Sequence, residues 1–384
     1  MTTIYLIRHA EAEGNLHRRI HGWYNALVTE NGFKQIEALR NRFADVQIDA
    51  VYSSDLYRTM TTARSIYQPK GLELQTDPDL RELYMGDWED LTWGGVRHEQ
   101  GSELDRFNGN DPQWQAPNGE SFHDVGRRVE GALTRIAQKH PGQTVAVFSH
   151  GLAIRQVTAN IKGIAPEDWK HLQHSDNTAV TCLAWDGNKF LVVYEGDNSH
   201  LDESLSTFAR QQWWRKDKSK TEDINLWFRP LDMEREEELY LKARRDAWHV
   251  IHKDHPGFDE EGYLRDAREH LSRTPWGVSC AMSGDRVVGI LQMDPERYSL
   301  DNAGYIPFCY IVPDMRGKGL GAQLIGHAVA FYRPMGRDKL RLRCAPYNGH
   351  AQHVYGKLGF RKIGEEQGSR VPLDILEKYI GYER

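Results

Sequence analysis

Apolar positions in the first 200 residues fall into alternating strand-like and helix-like segments. Thr3 to Arg8 is a short apolar run that ends on charge and reads as a buried strand. Thr29 to Phe43 reads as a helix and Ala50 to Ser53 as a short strand, with Asp55 placed to N-cap the helix that follows. Gly126 to His140 reads as another helix, stopped by Pro141-Gly142. Thr144 to Ser149 is a second apolar strand, and Ala179 to Trp185 with Lys189 to Glu195 predicts a hairpin around Asp186-Gly187. Strands and helices that alternate in this way predict α/β layering with a largely parallel sheet.

The character changes over Asn198 to Asp223, where RQQWWRKDKSK (Arg210 to Lys220) is polar, basic and carries two tryptophans. A domain junction is expected near residue 221. Trp213 and Trp214 are costly to leave in water, which predicts a helix that docks back on the first domain. From Ile224 a new order begins: a strand to Arg229, helices over 232–253 and 259–272, then strands near 276–282, 286–293 and 304–312. A glycine-rich turn then opens another helix.

Composition adds boundaries. The 384 residues are 39% hydrophobic and 27% charged, within the range of globular chains and long enough for two or three domains. Residues 1–200 carry 20 basic against 27 acidic side chains, and residues 201–384 carry 29 against 28, so neither half has the charge of a nucleic-acid binder. No apolar run approaches the ~20 residues that span a bilayer. Met1 to Ala10 lacks the layout of a signal peptide, and the expected location is the cytoplasm. Cys182, Cys280, Cys309 and Cys344 form no CxxC pair and read as small buried thiols. His249, His252 and His255 are spaced at three, but no carboxylate or cysteine joins them at ligand spacing, and they read as a solvated helix face.

Candidate chemistry sits at element ends. Arg8 and His9 close the first strand and His150 closes the strand TVAVFSH. Ligands of open α/β sheets bind at the carboxyl ends of strands, so two strands ending in histidine can share a crevice. A neutral imidazole there is a nucleophile. Arg58, in SSDLYRTMTTA, lies in the first turn of a helix, where free N–H groups and a guanidinium suit a phosphate. Glu82, in RELYMGDWED, offers a carboxyl group to protonate a leaving oxygen.

These boxes together resemble the histidine phosphatase superfamily, in the branch of the cofactor-dependent phosphoglycerate mutases and alpha-ribazole phosphatases. LIRHAEAEGN is similar to the first box, with Ala10 where glycine is usual and Asn15 where the family has a phosphate-contacting asparagine. SSDLYRTMTTA, LRELYMGDWE, PNGES and SHG supply the rest. The resemblance implies His9 as nucleophile, Glu82 as proton donor, and Arg8, Asn15, Arg58 and His150 as phosphoryl ligands, with no metal. Asn25 and Leu27 depart from a D-x-P-L-T turn beside the pocket and bear on substrate choice. The short stretch from Leu83 to Ser121 resembles phosphatases more than mutases. Trp23, Tyr24, Trp93 and Trp114 are expected near the pocket mouth, either stacking on substrate or packed under loops.

In the second half, a strand through Tyr305 to Pro313 leads into Arg316-Gly317-Lys318-Gly319-Leu320-Gly321. Glycines let successive N–H groups point inward at a helix start, a nest for phosphate oxygens. IVPDMRGKGLG, with NGHAQHVYGKLGF downstream, resembles the GNAT N-acetyltransferase superfamily. The resemblance implies acetyl-CoA as acetyl donor, residues 316–321 on its pyrophosphate, the backbone near Ile311 on the pantetheine arm, Asn348 in the second box, and Tyr355 as donor to the departing thiolate.

The fold expected is α/β: an N-terminal three-layer α/β/α phosphoglycerate mutase-like domain (1–200), a linker or docking segment (201–223), and a mixed α/β GNAT domain (224–384). The expected activities are hydrolysis of a small-molecule phosphomonoester through a phosphohistidine, and acetylation of a small-molecule or peptide amine. The alternatives are a phosphate-sensing module that regulates an acetyltransferase, and a mutase-type phosphoryl transferase. No nucleic acid, membrane or metal is expected.

Overall fold

The computed structural model describes residues 1–210, 224–253, 256–368 and 371–382. They divide into two compact units, one of residues 1–91 and 99–210 and the other of residues 92–98 together with the described residues from 224 onward. The predicted helix bearing Trp213 and Trp214 lies outside the described residues.

The first half of the chain runs β1 (Thr2–Arg8), α1 (Glu13–His17), α2 (Glu30–Arg42), β2 (Ala50–Ser53), α3 (Tyr57–Lys70), β3 (Leu74–Thr76), α4 (Trp93–Glu99), α5 (Gly101–Asn108), α6 (Phe122–Lys139), β4 (Thr144–Ser149), α7 (Gly151–Lys162), β5 (Val180–Trp185), β6 (Phe190–Asp197) and α8 (Thr207–Arg210). The sheet order is β3-β2-β4-β1-β5-β6. The first four strands are parallel, while β5 and β6 turn back antiparallel as the hairpin pattern predicts. Ile7, Val51, Ala146, Phe148 and Val180 from the sheet pack with Leu39 of α2, Phe43 at its C-terminal end, and Ala63 and Ile66 of α3.

Capping decides several boundaries. Thr29 Oγ1 accepts from Gly32 N at 3.0 Å and starts α2. Helix α6 begins four residues before the expected Gly126, because Ser121 and Asp124 exchange capping-box bonds and Phe122 is fully buried. Asp55 is not the cap of α3. Its carboxylate is bound by Arg81, and the first amide of α3, Tyr57 N, instead donates to Asn25 Oδ1 at 2.8 Å.

The second half runs β7 (Trp227–Pro230), α9 (Met233–His252), α10 (Glu260–Arg273), β8 (Val278–Ser283), β9 (Arg286–Asp294), β10 (Ala303–Ile311), α11 (Gly321–Tyr332), β11 (Lys339–Cys344), α12 (Gly349–Lys357), β12 (Arg361–Gln367) and β13 (Pro372–Tyr379). Its sheet order is β12-β13-β11-β10-β9-β8-β7. Strands β10 and β11 are parallel, but their pairing covers only Ala303–Ile306 against Lys339–Leu342. Pro307 has no N–H to continue it, and a bulge between Tyr305 and Phe308 shifts the register against β9. Tyr240, Leu241 and Leu264 from the helices pack on Val278, Cys280, Ile290, Phe308 and Tyr310. Among the described residues, no helix is long and apolar enough to cross a membrane.

Candidate active sites

The β1–β4 register places Arg8 beside Ser149, so the two strands end level and hand His9 and His150 to one crevice. Their ring centroids are 5.2 Å apart. His9 Nδ1 lies 2.7 Å from Ala10 O. A carbonyl only accepts, so Nδ1 carries the proton, and in the neutral ring Nε2 carries the lone pair. Burial, and after it Arg58, push both His9 and His150 well below the usual histidine value of 6.5. Both rings are therefore neutral at pH 7.

Three charged side chains complete the crevice. Arg8 Nη1 donates to Ser175 O, and the guanidinium lies against Gly151 at the start of α7, where an added Cβ would sit 3.2 Å from Nε. Arg58 is 1% exposed; its guanidinium donates to the carbonyls of Tyr24 (3.0 Å), Gly22 (2.7 Å) and His21 (3.2 Å). The Glu82 carboxylate accepts from Leu152 N and Ala153 N of α7 at 3.1 and 2.9 Å, and from Leu83 N at 2.9 Å. It thus sits at the helix terminus that follows His150. Asn15 accepts from Ala12 N through Oδ1 at 3.1 Å at the start of α1. His150 Nε2 lies 3.0 Å from Ser54 Oγ. Arg8 Nε and His150 Nδ1 are buried with no hydrogen-bond partner among the described residues, so the crevice holds polar atoms that a phosphoryl oxygen can satisfy.

Three roles at this site were not expected from sequence. Glu89 accepts from Gly22 N, Trp23 N, Tyr24 N and Met85 N. Asn25 caps α3. Arg155, one turn along α7 from Gly151, is buried with Nη2 on Asn110 Oδ1 at 2.6 Å, and burial lowers its pKa to about 10. The aromatic expectations split. Trp23 lies over the Glu82 segment, with Nε1 on Glu82 O at 2.8 Å and Arg81 at 4.7 Å from its ring. Trp114 is fully buried against Trp88, Phe107 and Phe122, so it packs rather than stacks on substrate. Trp93 belongs to the stretch Thr92–His98, which groups with the second unit.

In the second unit, Gly317 and Gly319 have φ of 77° and 76°, and a Cβ at either would meet nothing within 4 Å. The turn therefore needs glycine for its backbone and leaves open space on it. Helix α11 starts at Gly321, with Leu320 as an N-cap that offers no side-chain bond; Ala322 N and Gln323 N bond back to Gly319 O at 3.3 Å and Leu320 O at 3.0 Å. Arg316 turns away from the cradle: Nε donates to Ile311 O at 2.9 Å, and the guanidinium pairs with Asp246. Lys318 Nζ lies 3.5 Å from Met315 Sδ. Asn348 caps α12, Oδ1 accepting from Ala351 N at 3.3 Å. The Tyr355 hydroxyl faces Cys309 on β10 beyond the end of the β10–β11 pairing, and burial raises its pKa well above 10. Burial pushes the Cys309 thiol up to about 12. His252 packs on Trp248 at 3.9 Å between ring centroids, while His255 lies outside the described residues. Among the described residues no group of three His, Cys, Asp or Glu could hold a metal.

The parallel strands β1 and β4 thus bring two level histidines together with the half-buried Arg8, the buried Arg58 and a carboxylate at one end of the sheet. Residues 4–198 match the histidine phosphatase superfamily (branch 1), and the chain belongs to that family. Residues 237–360 match the acetyltransferase (GNAT) family, so one chain carries both domains. A Cronobacter sakazakii protein named probable phosphoglycerate mutase GpmB is 33% identical over 208 residues, which cover 53% of this chain and 96% of that one. Phosphoglycerate mutase-like protein 4 of Arabidopsis thaliana is 34% identical over 205 residues, covering 52% and 87%. The solved structure of Bacillus stearothermophilus YhfR superposes with a TM-score of 0.51 at 32% identity, covering 53% of this chain and all of that one.

Proposed function

We propose that the chain is a bifunctional enzyme, a phosphomonoesterase over residues 1–200 joined through 201–223 to an amine acetyltransferase over 224–384. The observation that carries the first half is the His9 tautomer. With Nδ1–H held by Ala10 O, the Nε2 lone pair attacks phosphorus, a P–N bond forms and the P–O bond to the leaving group breaks. Protonated Glu82 gives its proton to the leaving oxygen. Arg8 and Arg58 neutralise the phosphoryl oxygens, and His150 presents Nδ1–H when the Ser54 hydroxyl donates to Nε2. Asn15 adds a neutral donor. Water, deprotonated by Glu82, then attacks phosphorus, releases inorganic phosphate and restores His9.

For the second half, the open glycine cradle and uncapped start of α11 support pyrophosphate binding by the backbone of residues 316–321, and β10 beyond Ile306 supports an extended pantetheine arm near Ile311. The acceptor nitrogen attacks the thioester carbon, the C–S bond breaks, and Tyr355 protonates the thiolate. The amine proton leaves to water. Asn348 contributes through α12, which it caps and which carries Tyr355.

The test is brief incubation of the full chain with an aryl phosphate, quenched in base. Acid-labile phosphate on His9, absent from His9→Ala, is expected; turnover of His9→Ala at the wild-type rate would refute the assignment. The names of the two curated relatives favour a second reading, phosphoryl transfer between positions of a phosphorylated sugar acid. Isomer formed without release of inorganic phosphate would select it. Calorimetric titration with acetyl-CoA tests the second half, where absent affinity rules out the acetyltransferase reading.

A further inference from the structure

Arg58 is held by carbonyls of the loop 21–24, which no strand or helix fixes. The other side of that loop meets one carboxylate. Glu89 Oε2 accepts from Gly22 N at 3.1 Å and Tyr24 N at 2.8 Å, and Oε1 accepts from Trp23 N at 2.6 Å. In a planar trans peptide, C=O and N–H point in opposite directions. The His21–Gly22 peptide therefore has its oxygen on Arg58 and its N–H on Glu89, and the Gly22–Trp23 peptide repeats the arrangement. The two charges never touch, yet they polarise the same two peptide groups head to tail. Hydrogen bonds in such a chain strengthen one another.

Two further contacts and one close approach bind this relay to the site. Glu89 Oε1 also accepts from Met85 N at 3.1 Å, three residues after Glu82. Asn25, next in the loop, caps the helix that carries Arg58. At Gly22 a Cβ would stand 2.3 Å from Glu89 Oε1 and 2.4 Å from Leu83 O, so only glycine lets the loop close onto the carboxylate.

We propose that Glu89 is a positioning residue of the phosphoryl site, which fixes the Arg58 guanidinium through the His21–Gly22 and Gly22–Trp23 peptides while contacting no substrate. This rests on the reading of Arg58 as a phosphoryl ligand. It assigns to one residue the tie between the arginine that takes the incoming charge and the segment of the acid Glu82.

The probe is orthovanadate, titrated calorimetrically into the full chain. Wild type, Arg58→Lys, Glu89→Gln, Glu89→Asp and the Glu89→Gln/Arg58→Lys double variant are compared. Side chains that share one hydrogen-bond network couple rather than add. Glu89→Gln is expected to weaken vanadate by about 10- to 100-fold, Glu89→Asp by less, and the double variant no further than the weaker-binding single. A purely structural residue would lower the thermal midpoint while leaving the two losses multiplicative. Multiplicative losses, or a Glu89→Gln affinity within twofold of wild type beside a weakened Arg58→Lys, overturn the inference. If Glu89→Gln does not fold, the cycle is run with Glu89→Asp against Arg58→Lys under the same criterion. Wild-type affinity in Arg58→Lys would instead overturn the reading of Arg58 itself.

Discussion

The pair of neutral histidines predicts an acid sensitivity that can be worked through. The perturbation is a fall from pH 7 to pH 5. In the unfolded chain each histidine takes up its proton near pH 6.5, whereas burial and Arg58 keep His9 and His150 neutral in the folded unit. The folded values are depressed, so the unfolded state binds more protons over this range. The stability these residues contribute is complete above about pH 6.5 and is lost as pH falls towards the folded values. Below pH 6.5 each histidine whose folded ring stays neutral costs up to about 1.4 kcal/mol per pH unit, which bounds the loss at pH 5 to about 2 kcal/mol for each and roughly 4 for the pair. His21, lowered by burial, and His200, lowered to about 4, titrate in the same direction, so the pair must be isolated by difference. Hydrogen exchange read by mass spectrometry on peptides covering β4 and the start of α7 confines the measurement to the first unit. The protection lost between pH 7 and pH 5, corrected for intrinsic rates, should be smaller in a His9→Asn/His150→Asn variant than in the wild type, by up to roughly 4 kcal/mol. An equal loss in both proteins would show that the histidines carry their protons when folded, and the nucleophile assignment would fall with it.

Glu82→Gln should cost about 10²–10⁴ in kcat on alkyl phosphates and far less on para-nitrophenyl phosphate, whose leaving group needs little protonation; equal losses would remove the acid role. Gly319→Ala should destabilise the second unit by about 1–2 kcal/mol through its positive φ, and Gly319→Asp should in addition abolish calorimetric acetyl-CoA binding, because its carboxylate fills the open cradle. Tyr355→Phe should lower kcat for acetyl transfer about 10²-fold or more with little change in KM for acetyl-CoA, as expected of a hydroxyl that holds its proton until the thiolate forms; an unchanged kcat would leave it a packing residue.

What was legible in the sequence follows the range of the interactions. Apolar runs that end on charge mark β1 and β4, and with them the level placement of His9 and His150, since strand burial and strand ends are written locally. The Ser121–Asp124 capping box is also local, spaced by three, yet it was hidden by a start placed at Gly126. Asp55 has the right residue type at the right place for a cap, but Arg81, 26 positions on, takes its carboxylate, and Asn25, 30 positions back, does the capping. Glu89 is less legible still, because three of its four partners are backbone amides 65 to 67 residues away, and amides leave no mark on side-chain identity. Strands β11 to β13 were not predicted, although β11 alternates buried and half-buried positions along KLRLRC.

The level ending of β1 and β4 also bears on which length changes the chain tolerates. Adding one residue inside β1 would carry His9 about 3.3 Å beyond His150 and turn Ile4 and Leu6 from one face of the sheet to the other. The same insertion in the exposed turn at Asp186–Gly187, between β5 and β6, leaves both histidines in register. Across a library of single-residue insertions and deletions, the few positions within these two strands should be nearly silent among the survivors, while that hairpin tip absorbs change freely.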